Sequence, residues 1–441
     1  MVASLFNTAF TSLTLFGPAF IFYLNDLGLD KARIGMLLSL VPFAGIVAPL
    51  AATAVGRFGL KRTFVVFWGL RKAAFALIFL VPFILHNLGT DAAFLWVAGL
   101  VLAFSVCRAL AETGFYPWLV DLIPNKIRGQ LGAASSIVAT LISLVTAAAA
   151  SYVVDHSTGI ERFTVLFAVG LVCGLIAVGS YAMLPGGGPV RSDAREPGRT
   201  GEMRAALADR NFTRYLLILA LISLGGSIGS TFVALYANEQ IGLTTGSVVL
   251  LSIGSSIGAL LSSYPLGWAS DRYGSRPMMV LGLAGSLIVP LGWLLMPRHT
   301  AYGLTLAMSL AFFGALAGTA WNTGAGRYLY VNAVQPDKKT GYMAVWYAFN
   351  AIVGGSGPLI AGWLLHLLAN LNSNVLGMTI DAYTPLFLFN VFTLVTGVFI
   401  ANRMRDDEAL PLRTVFTLIW RRGRLNLPSR ATAVQATARR L

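Results

Sequence analysis

Apolar runs of about 20 residues, the length that crosses a bilayer as a helix, recur along nearly the whole chain. In lipid only helices or closed barrels satisfy every backbone hydrogen bond. The runs are continuous and lack the alternation of barrel strands, which excludes a barrel. Only 11% of the residues are charged, against about a quarter in soluble proteins. The sequence therefore predicts an all-α polytopic membrane protein.

The apolar runs divide into twelve predicted transmembrane helices. They cover residues 3–24, 34–55, 63–85, 93–115, 131–153, 163–184, 215–236, 246–268, 278–296, 303–326, 341–367 and 383–401. The predicted domains are an N-terminal six-helix bundle (1–184), a cytoplasmic linker (185–214), a C-terminal six-helix bundle (215–401) and a basic cytoplasmic tail (402–441). Residues 202–210 of the linker are expected to form an amphipathic helix.

Basic residues mark the orientation. With both termini on one side, only Lys31, Arg33, Arg162 and Arg298 fall in loops of the other side. The positive-inside rule then predicts cytoplasmic termini and a multi-pass protein of the plasma (inner) membrane. The net charge of +14 follows from this topology, so the predicted partner is the lipid bilayer and not nucleic acid.

The two halves of the chain repeat each other at an offset of about 212 to 215 residues, as two related bundles would. Three short matches fall at equivalent places in each half. They pair Asn25–Gly28 with Asn238–Gly242, Gly56–Lys61 with Asp271–Arg276, and Pro124–Gly129 with Pro336–Gly341.

The stretch from Gly267 to Arg276 reads Gly-x-x-x-Asp-Arg-x-Gly-x-Arg between two apolar runs. It resembles the loop motif of the major facilitator superfamily, and the resemblance covers almost the whole chain except the linker and tail. It implies two pseudo-symmetric six-helix bundles around a central cavity that opens alternately to each face. The implied activity is secondary transport of a small solute bound near the midplane.

The motif offers a candidate gate. The glycines Gly267 and Gly274 permit a tight turn, and Asp271, Arg272 and Arg276, with Arg327, are predicted to form a cytoplasmic latch that favours the outward-open state. The alternative is that the motif only fixes the shape of the turn.

The first half departs from the pattern. Gly56 stands where the acid belongs, which leaves Arg57, Gly59 and Lys61 of the motif. Arg108 and Glu112, one helical turn apart on the fourth span, are the predicted substitute.

Charges within the spans are costly and need a partner or a cavity. Arg71 and Lys72 lie in the third span. Either Arg71 pairs with Glu112 as part of the gate, or both cations snorkel or line a site for an anionic ligand. Two acids at the outer ends of spans, Asp26 and Glu239, are either protonation sites of an outer gate or solvated loop ends.

Five polar and aromatic residues are the predicted lining of a substrate cavity, unless they serve packing between helices: Trp321, Asn322, Trp346, Tyr347 and Asn350. Stacking and hydrogen bonding by such residues suit an amphipathic solute.

No phosphate-binding loop, zinc spacing or nucleophile elbow is present. The sequence thus predicts no enzyme, no cofactor and no metal. It predicts a monomeric secondary transporter, with protons as the candidate coupling ion through Glu112 or the outer acids. One alternative is multidrug efflux, disfavoured because the fifth span lacks a Gly-Pro motif. The other is a non-transporting sensor or scaffold, disfavoured because only a short tail follows the last span.

Overall fold

The structure, a computed structural model, describes residues 2–50, 59–122, 125–157, 159–188, 199–334, 339–375 and 378–404. Ten helices in this part of the chain are long and apolar enough to cross a membrane. One of the ten, Leu60–Phe115, contains both the third and the fourth span. The ten omit the second span, where a short α-helix continues as a 3-10 helix. With these two taken into account, a helix is found at each of the twelve predicted spans, and residues 51–55 of the second lie outside the described residues.

The first bundle holds spans one to six. Its helices are Val2–Leu13 and Pro18–Asp26 (span one), Lys31–Phe43 with the 3-10 helix Ala44–Leu50 (two), Leu60–Ala76 with Leu77–Leu80 (three), Val81–Leu122 (the end of three and all of four), Asn125–His156 (five) and Glu161–Ala182 (six). Gly89, with φ of 82°, separates the third span from the fourth.

The second bundle holds spans seven to twelve. Its helices are Arg210–Ser230 and Val233–Glu239 (seven), Thr245–Tyr273 (eight), Ser275–Ser286 and Ile288–Leu294 (nine), Gly303–Tyr328 (ten), Lys339–Leu367 (eleven) and Thr384–Asn402 (twelve). The linker contains the helix Arg199–Ala208, close to the predicted 202–210, and it packs on span eleven.

An antiparallel hairpin of strands Asn372–Val375 and Met378–Asp381 lies between spans eleven and twelve. Sequence reasoning did not predict it, because the strands are short and polar. Asp381 ends the hairpin and begins the last helix: its carboxylate accepts hydrogen bonds from the backbone N–H groups of Tyr383 and Thr384 at 2.9 and 3.0 Å. Such a cap satisfies donors that the first helical turn leaves open.

Spans one and seven, which are equivalent in the repeat, are both interrupted by a short non-helical segment. Span one stops at Leu13 and restarts at Pro18, where Pro suits the first position of a helix because it has no N–H to satisfy. Span seven stops at Ser230 and restarts at Val233. Broken spans in membrane proteins are tolerated where they face a cavity, so these breaks point to the centre of the molecule.

The two bundles touch most closely where spans two and eleven cross. A Cβ atom added at Gly35 would lie 3.0 Å from the Cα atom of Gly362 and would strike the backbone oxygen of Pro358. Glycine at these positions lets two helix backbones approach directly, as small residues do in other membrane interfaces.

Gly35→Leu is expected to force the bundles apart at this crossing. Overpacking of this kind costs roughly 1–3 kcal/mol, so the melting temperature of the purified protein should fall. Gly99→Leu is the matched control, because an added Cβ there meets nothing within 4 Å. Equal melting temperatures for the two variants would contradict the close approach.

Candidate functional site

Polar contacts join the two bundles at the end of the molecule that bears Asp26 and Glu239, hereafter the loop face. The opposite end, which bears Val2 and Asn402, is the terminal face. Lys31 of the first bundle forms an ion pair with Glu239 of the second at 2.7 Å. Tyr383 donates a second hydrogen bond to Glu239, also at 2.7 Å.

Two further contacts cross between the bundles at this face. Asp155, at the end of span five, accepts a hydrogen bond from the backbone N–H of Gly246 at 2.9 Å and one from the Thr244 hydroxyl at 3.2 Å. A carboxylate at a helix N-terminus interacts favourably with the helix dipole, so Asp155 caps span eight from the other bundle. His366 lies 3.4 Å from the Asp30 carboxylate.

The predicted outer acids thus differ from each other. Asp26 forms an ion pair with Arg162 at 2.7 Å inside the first bundle, whereas Glu239 joins the two bundles. Both carboxylates are partnered, so neither is a freely solvated loop end. The sequence repeat could not reveal this difference, because the partners Lys31 and Arg162 lie at the starts of helices outside the three repeated matches.

A cavity of about 730 Å³ lies between the bundles next to the loop-face contacts. Both helix breaks line it: Phe16, Gly17 and Pro18 from span one, and Ser230 and Thr231 from span seven. Spans two and eight to eleven supply further lining, mostly apolar, together with the hydroxyl-bearing residues Ser252 and Ser255. Because spans of both bundles line this cavity, its shape would change if the bundles moved relative to each other.

A smaller cavity of about 220 Å³ carries the charged residues. Its lining is Val41, Pro42, Gly45, Ser105, Arg108, Ala109 and Glu112. The Arg108 Nε donates to a Glu112 carboxylate oxygen at 2.8 Å, the i,i+4 pair predicted from the sequence. The Arg108 guanidinium also stacks 5.1 Å from the ring centroid of Phe16. Phe16 lines the larger cavity, so it stands between the two spaces.

Glu112 lies deeper than the sequence suggested. The span was predicted to end at residue 115, but the helix continues to Leu122, ten residues beyond Glu112. At 1.5 Å per residue this is about 15 Å of helix. The acid is therefore not at the end of its helix.

Arg71 and Lys72 are buried inside the first bundle and do not snorkel. Only 1% of Arg71 is exposed and Lys72 is fully buried. Arg71 forms no ion pair with Glu112 within the described residues; its guanidinium carbon lies 4.1 Å from the Trp68 ring and 4.5 Å from that of Phe104. Lys72 lies over the Phe10 ring at 3.2 Å. Cation–π contacts thus replace the anticipated carboxylate partner.

Comparison with known proteins agrees with this architecture. The model of the Major Facilitator Superfamily matches residues 2–261 and 216–425. The chain belongs to the Major Facilitator Superfamily. Its members are transporters and not enzymes, as the sequence predicted.

Relatives within this superfamily are distant. The chain is 24% identical over 347 residues to the ectoine/proline transporter ProP of Corynebacterium glutamicum, covering 74% of this chain and 67% of that protein. The crystal structure of a mutant of the nucleoside transporter NupG matches with a TM-score of 0.67 at 13% identity, covering 91% and 98% of the two chains. A partially occluded inward-open structure of the E. coli xylose transporter XylE matches with 0.62 at 15%, covering 93% and 98%. At these identities the two structures show the fold alone.

The superfamily loop motif lies at the terminal face, between spans eight and nine. Arg327 approaches the Asp271 carboxylate to 3.9 Å and donates to the Ser275 hydroxyl at 3.2 Å. Asp271 is 85% exposed, and an exposed ion pair at that distance contributes little.

The basic residues of the motif have other contacts. Arg276 donates to the backbone and side-chain oxygens of Asn402 at the end of span twelve. Arg272 stacks 5.5 Å from the Trp268 ring. The described contacts of the predicted latch therefore lie within the second bundle, and they connect spans eight, nine, ten and twelve.

The equivalent turn in the first bundle is only partly described. Arg57 lies outside the described residues, as does Gly56. Gly59 has φ of 85° before the helix of span three, and the backbone N–H of Lys61 donates to the carbonyl of Gly187 at 3.1 Å. The start of the linker thus rests on this turn.

The five residues predicted to line the cavity line neither of the two cavities. Trp321 is buried where spans nine and ten approach through Gly282. Asn350 donates to the backbone oxygen of Trp346, and Trp346 packs edge-on against Tyr347. Asn322 is exposed. The helix breaks at Gly17-Pro18 and Ser230 are the sequence signal for the lining of the larger cavity.

Gly274→Ala is expected to destabilise the motif, whereas Gly267→Ala is expected to be tolerated. Gly274 has φ of 93° and ψ of 171°, a region open almost only to glycine, and other residues pay roughly 1–3 kcal/mol there. A Cβ atom at Gly267 would meet nothing within 4 Å. Melting temperatures of the two purified variants check this, and an equal loss in both would contradict it.

Proposed function

We propose that this protein is a secondary active transporter that carries a small organic solute by alternating access between its two bundles. The observation that carries the proposal is the closed loop face: Lys31, Asp155 and Asp30 of the first bundle bind Glu239, Gly246 and His366 of the second. A cavity between the bundles lies directly next to these contacts. Opening the loop face requires that they break.

The orientation of the basic residues supports a cytoplasmic terminal face in a plasma (inner) membrane. With that orientation, the closed loop face is the outer one. Similarity to an inward-open structure of a xylose transporter is consistent with this assignment.

Glu112 is the proposed proton carrier. Its carboxylate lines a cavity, is 36% exposed and is held by Arg108. The other ionisable groups around this region are Arg71, Lys72 and Tyr181, all on spans three and six of the same bundle. Protonation of Glu112 would weaken its ion pair and release the guanidinium, and this links proton binding to a change inside the cavity.

The first solutes to assay are proline and ectoine, because the relative that is 24% identical carries them. Their size fits a cavity of about 730 Å³, within the usual range for small-molecule sites.

Cross-linking the loop face is expected to stop transport. In a background with Cys107 and Cys173 replaced by Ser, Asp30→Cys and His366→Cys are joined by a short bifunctional thiol reagent with a reducible bond. Proline uptake into proteoliposomes should fall at least tenfold and return on reduction. Asp26→Cys with Arg162→Cys is the matched control, because that ion pair lies at the same face but inside one bundle. Full uptake by the cross-linked first pair would contradict alternating access.

Glu112→Gln is expected to abolish proton-driven accumulation while exchange of labelled for unlabelled solute continues. Exchange needs the bundles to move with solute bound but needs no proton release. The measurement compares both activities in proteoliposomes with and without a pH gradient, and Glu161→Gln, an exposed acid at the start of span six, is the control. Gradient-driven accumulation by Glu112→Gln at the wild-type level would exclude this carrier.

A further inference from the structure

The Arg108 guanidinium has binding capacity that the protein does not use. A guanidinium offers five N–H groups. Glu112 takes the one on Nε, and neither Nη nitrogen is hydrogen-bonded to any residue in the described part of the chain. Glu112 and Phe16 together fix the plane of the group. Arg108 lines the smaller cavity together with Ser105 and Glu112.

Ser105 adds a second open group to the same cavity. It lies three residues before Arg108 on span four, so the two side chains share a helix face. Ser105 is only 1% exposed, yet its Oγ has no hydrogen-bond partner. Buried hydroxyls are nearly always hydrogen-bonded, and many serines elsewhere in this protein donate to a preceding backbone carbonyl. A ligand in the cavity would complete the bonding of Ser105.

The charge around the cavity is unbalanced. Arg71 interacts electrostatically with both Arg108 and Glu112, and its Nε and Nη2 atoms are buried without hydrogen-bond partners. Arg71 and Arg108 thus set two cations against one carboxylate in a medium where charges are weakly screened. The excess positive potential favours an anionic group.

We infer that the smaller cavity is the subsite for a carboxylate group of the carried solute. The Arg108 Nη edge binds both carboxylate oxygens in the bidentate manner typical of arginine, and the Ser105 hydroxyl donates a further bond. This inference rests on the proposed transport function, because the carboxylate belongs to the solute.

The two cavities together define the solute class. The smaller holds about 220 Å³, the liquid volume of about seven waters at roughly 30 Å³ each, which suits a carboxylate with a few carbon atoms. The rest of the solute extends past Phe16 into the larger, mostly apolar cavity. The expected class is a small organic acid or a zwitterionic amino acid.

The test uses the purified full-length protein and pairs of probes that differ only at the acid. Isothermal titration calorimetry at constant ionic strength compares L-proline, L-lactate and butyrate with their primary amides, and sodium chloride serves as the inorganic anion. At least one carboxylate should bind ten or more times tighter than its amide, because the amide offers one acceptor oxygen in place of two. Chloride should not compete.

Four variants identify the subsite. Arg108→Gln should weaken carboxylate binding at least tenfold and remove the preference over the amide. Arg108→Lys should recover only part of the affinity, because an ammonium lacks the paired N–H geometry. Ser105→Ala should weaken binding a few-fold. Arg33→Gln, which removes an ion pair with Asp91 at the loop face, is the control and should bind like wild type. The melting temperature of each unliganded variant establishes that it is folded.

Equal affinity for acid and amide, binding unaffected by Arg108→Gln, competition by chloride, or binding of none of the carboxylates would each overturn the subsite. Failure of the subsite is distinguishable from failure of the transport proposal. Flux of a neutral solute that stops on cross-linking the bundles supports transport without the subsite. Carboxylate binding through Arg108, with flux unchanged by the cross-link, supports the subsite without alternating access.

Discussion

The contact between the bundles at the loop face holds this structure closed on that side, and any opening of that side has to break it. Gly35 and Gly362 bring two helix backbones together. Lys31 and Asp30 make polar contacts beside that crossing, and Asp155 makes one where span five meets span eight. Each polar contact is modest alone, because pairs near a surface are well solvated. They act together with a close backbone fit that has no tolerance for larger side chains. Such a combination is stable while closed and can be released as a unit, which a moving gate requires.

The two bundles repeat in topology but have specialised differently. The first contains the buried cations Arg71 and Lys72 and the pair Arg108–Glu112. The second contains the braced loop motif, with Arg276 on Asn402 and Arg327 near Asp271. The charged residues inside the spans therefore belong to the first bundle, and the loop motif that connects helix ends belongs to the second. When the bundles rock, the charged wall moves relative to a surface that keeps its shape.

The spans could be predicted from the sequence because a backbone in lipid must satisfy all its hydrogen bonds internally. Run length alone identifies a helix in a bilayer, and the repeat placed equivalent turns in each half. The pair Arg108–Glu112 was also predictable, since helical spacing of four residues dictates it. The lining of the cavity was not, because it depends on which face of each helix turns inward. Trp321 and Trp346 have the chemistry of a binding site but pack within their own bundle, whereas small residues around Gly17 and Ser230 line the cavity.

Arg71 and Lys72 illustrate why composition alone misleads about charge in a membrane. A cation in the hydrocarbon region is expected to find a carboxylate or reach the interface, but these two lie among the aromatic rings of Phe10, Trp68 and Phe104. The negative faces of those rings offset part of the desolvation cost without neutralising the charge. A carboxylate in place of the rings would cancel the field. The rings preserve it, so the positive potential of Arg71 extends to Arg108, where an anionic ligand can bind.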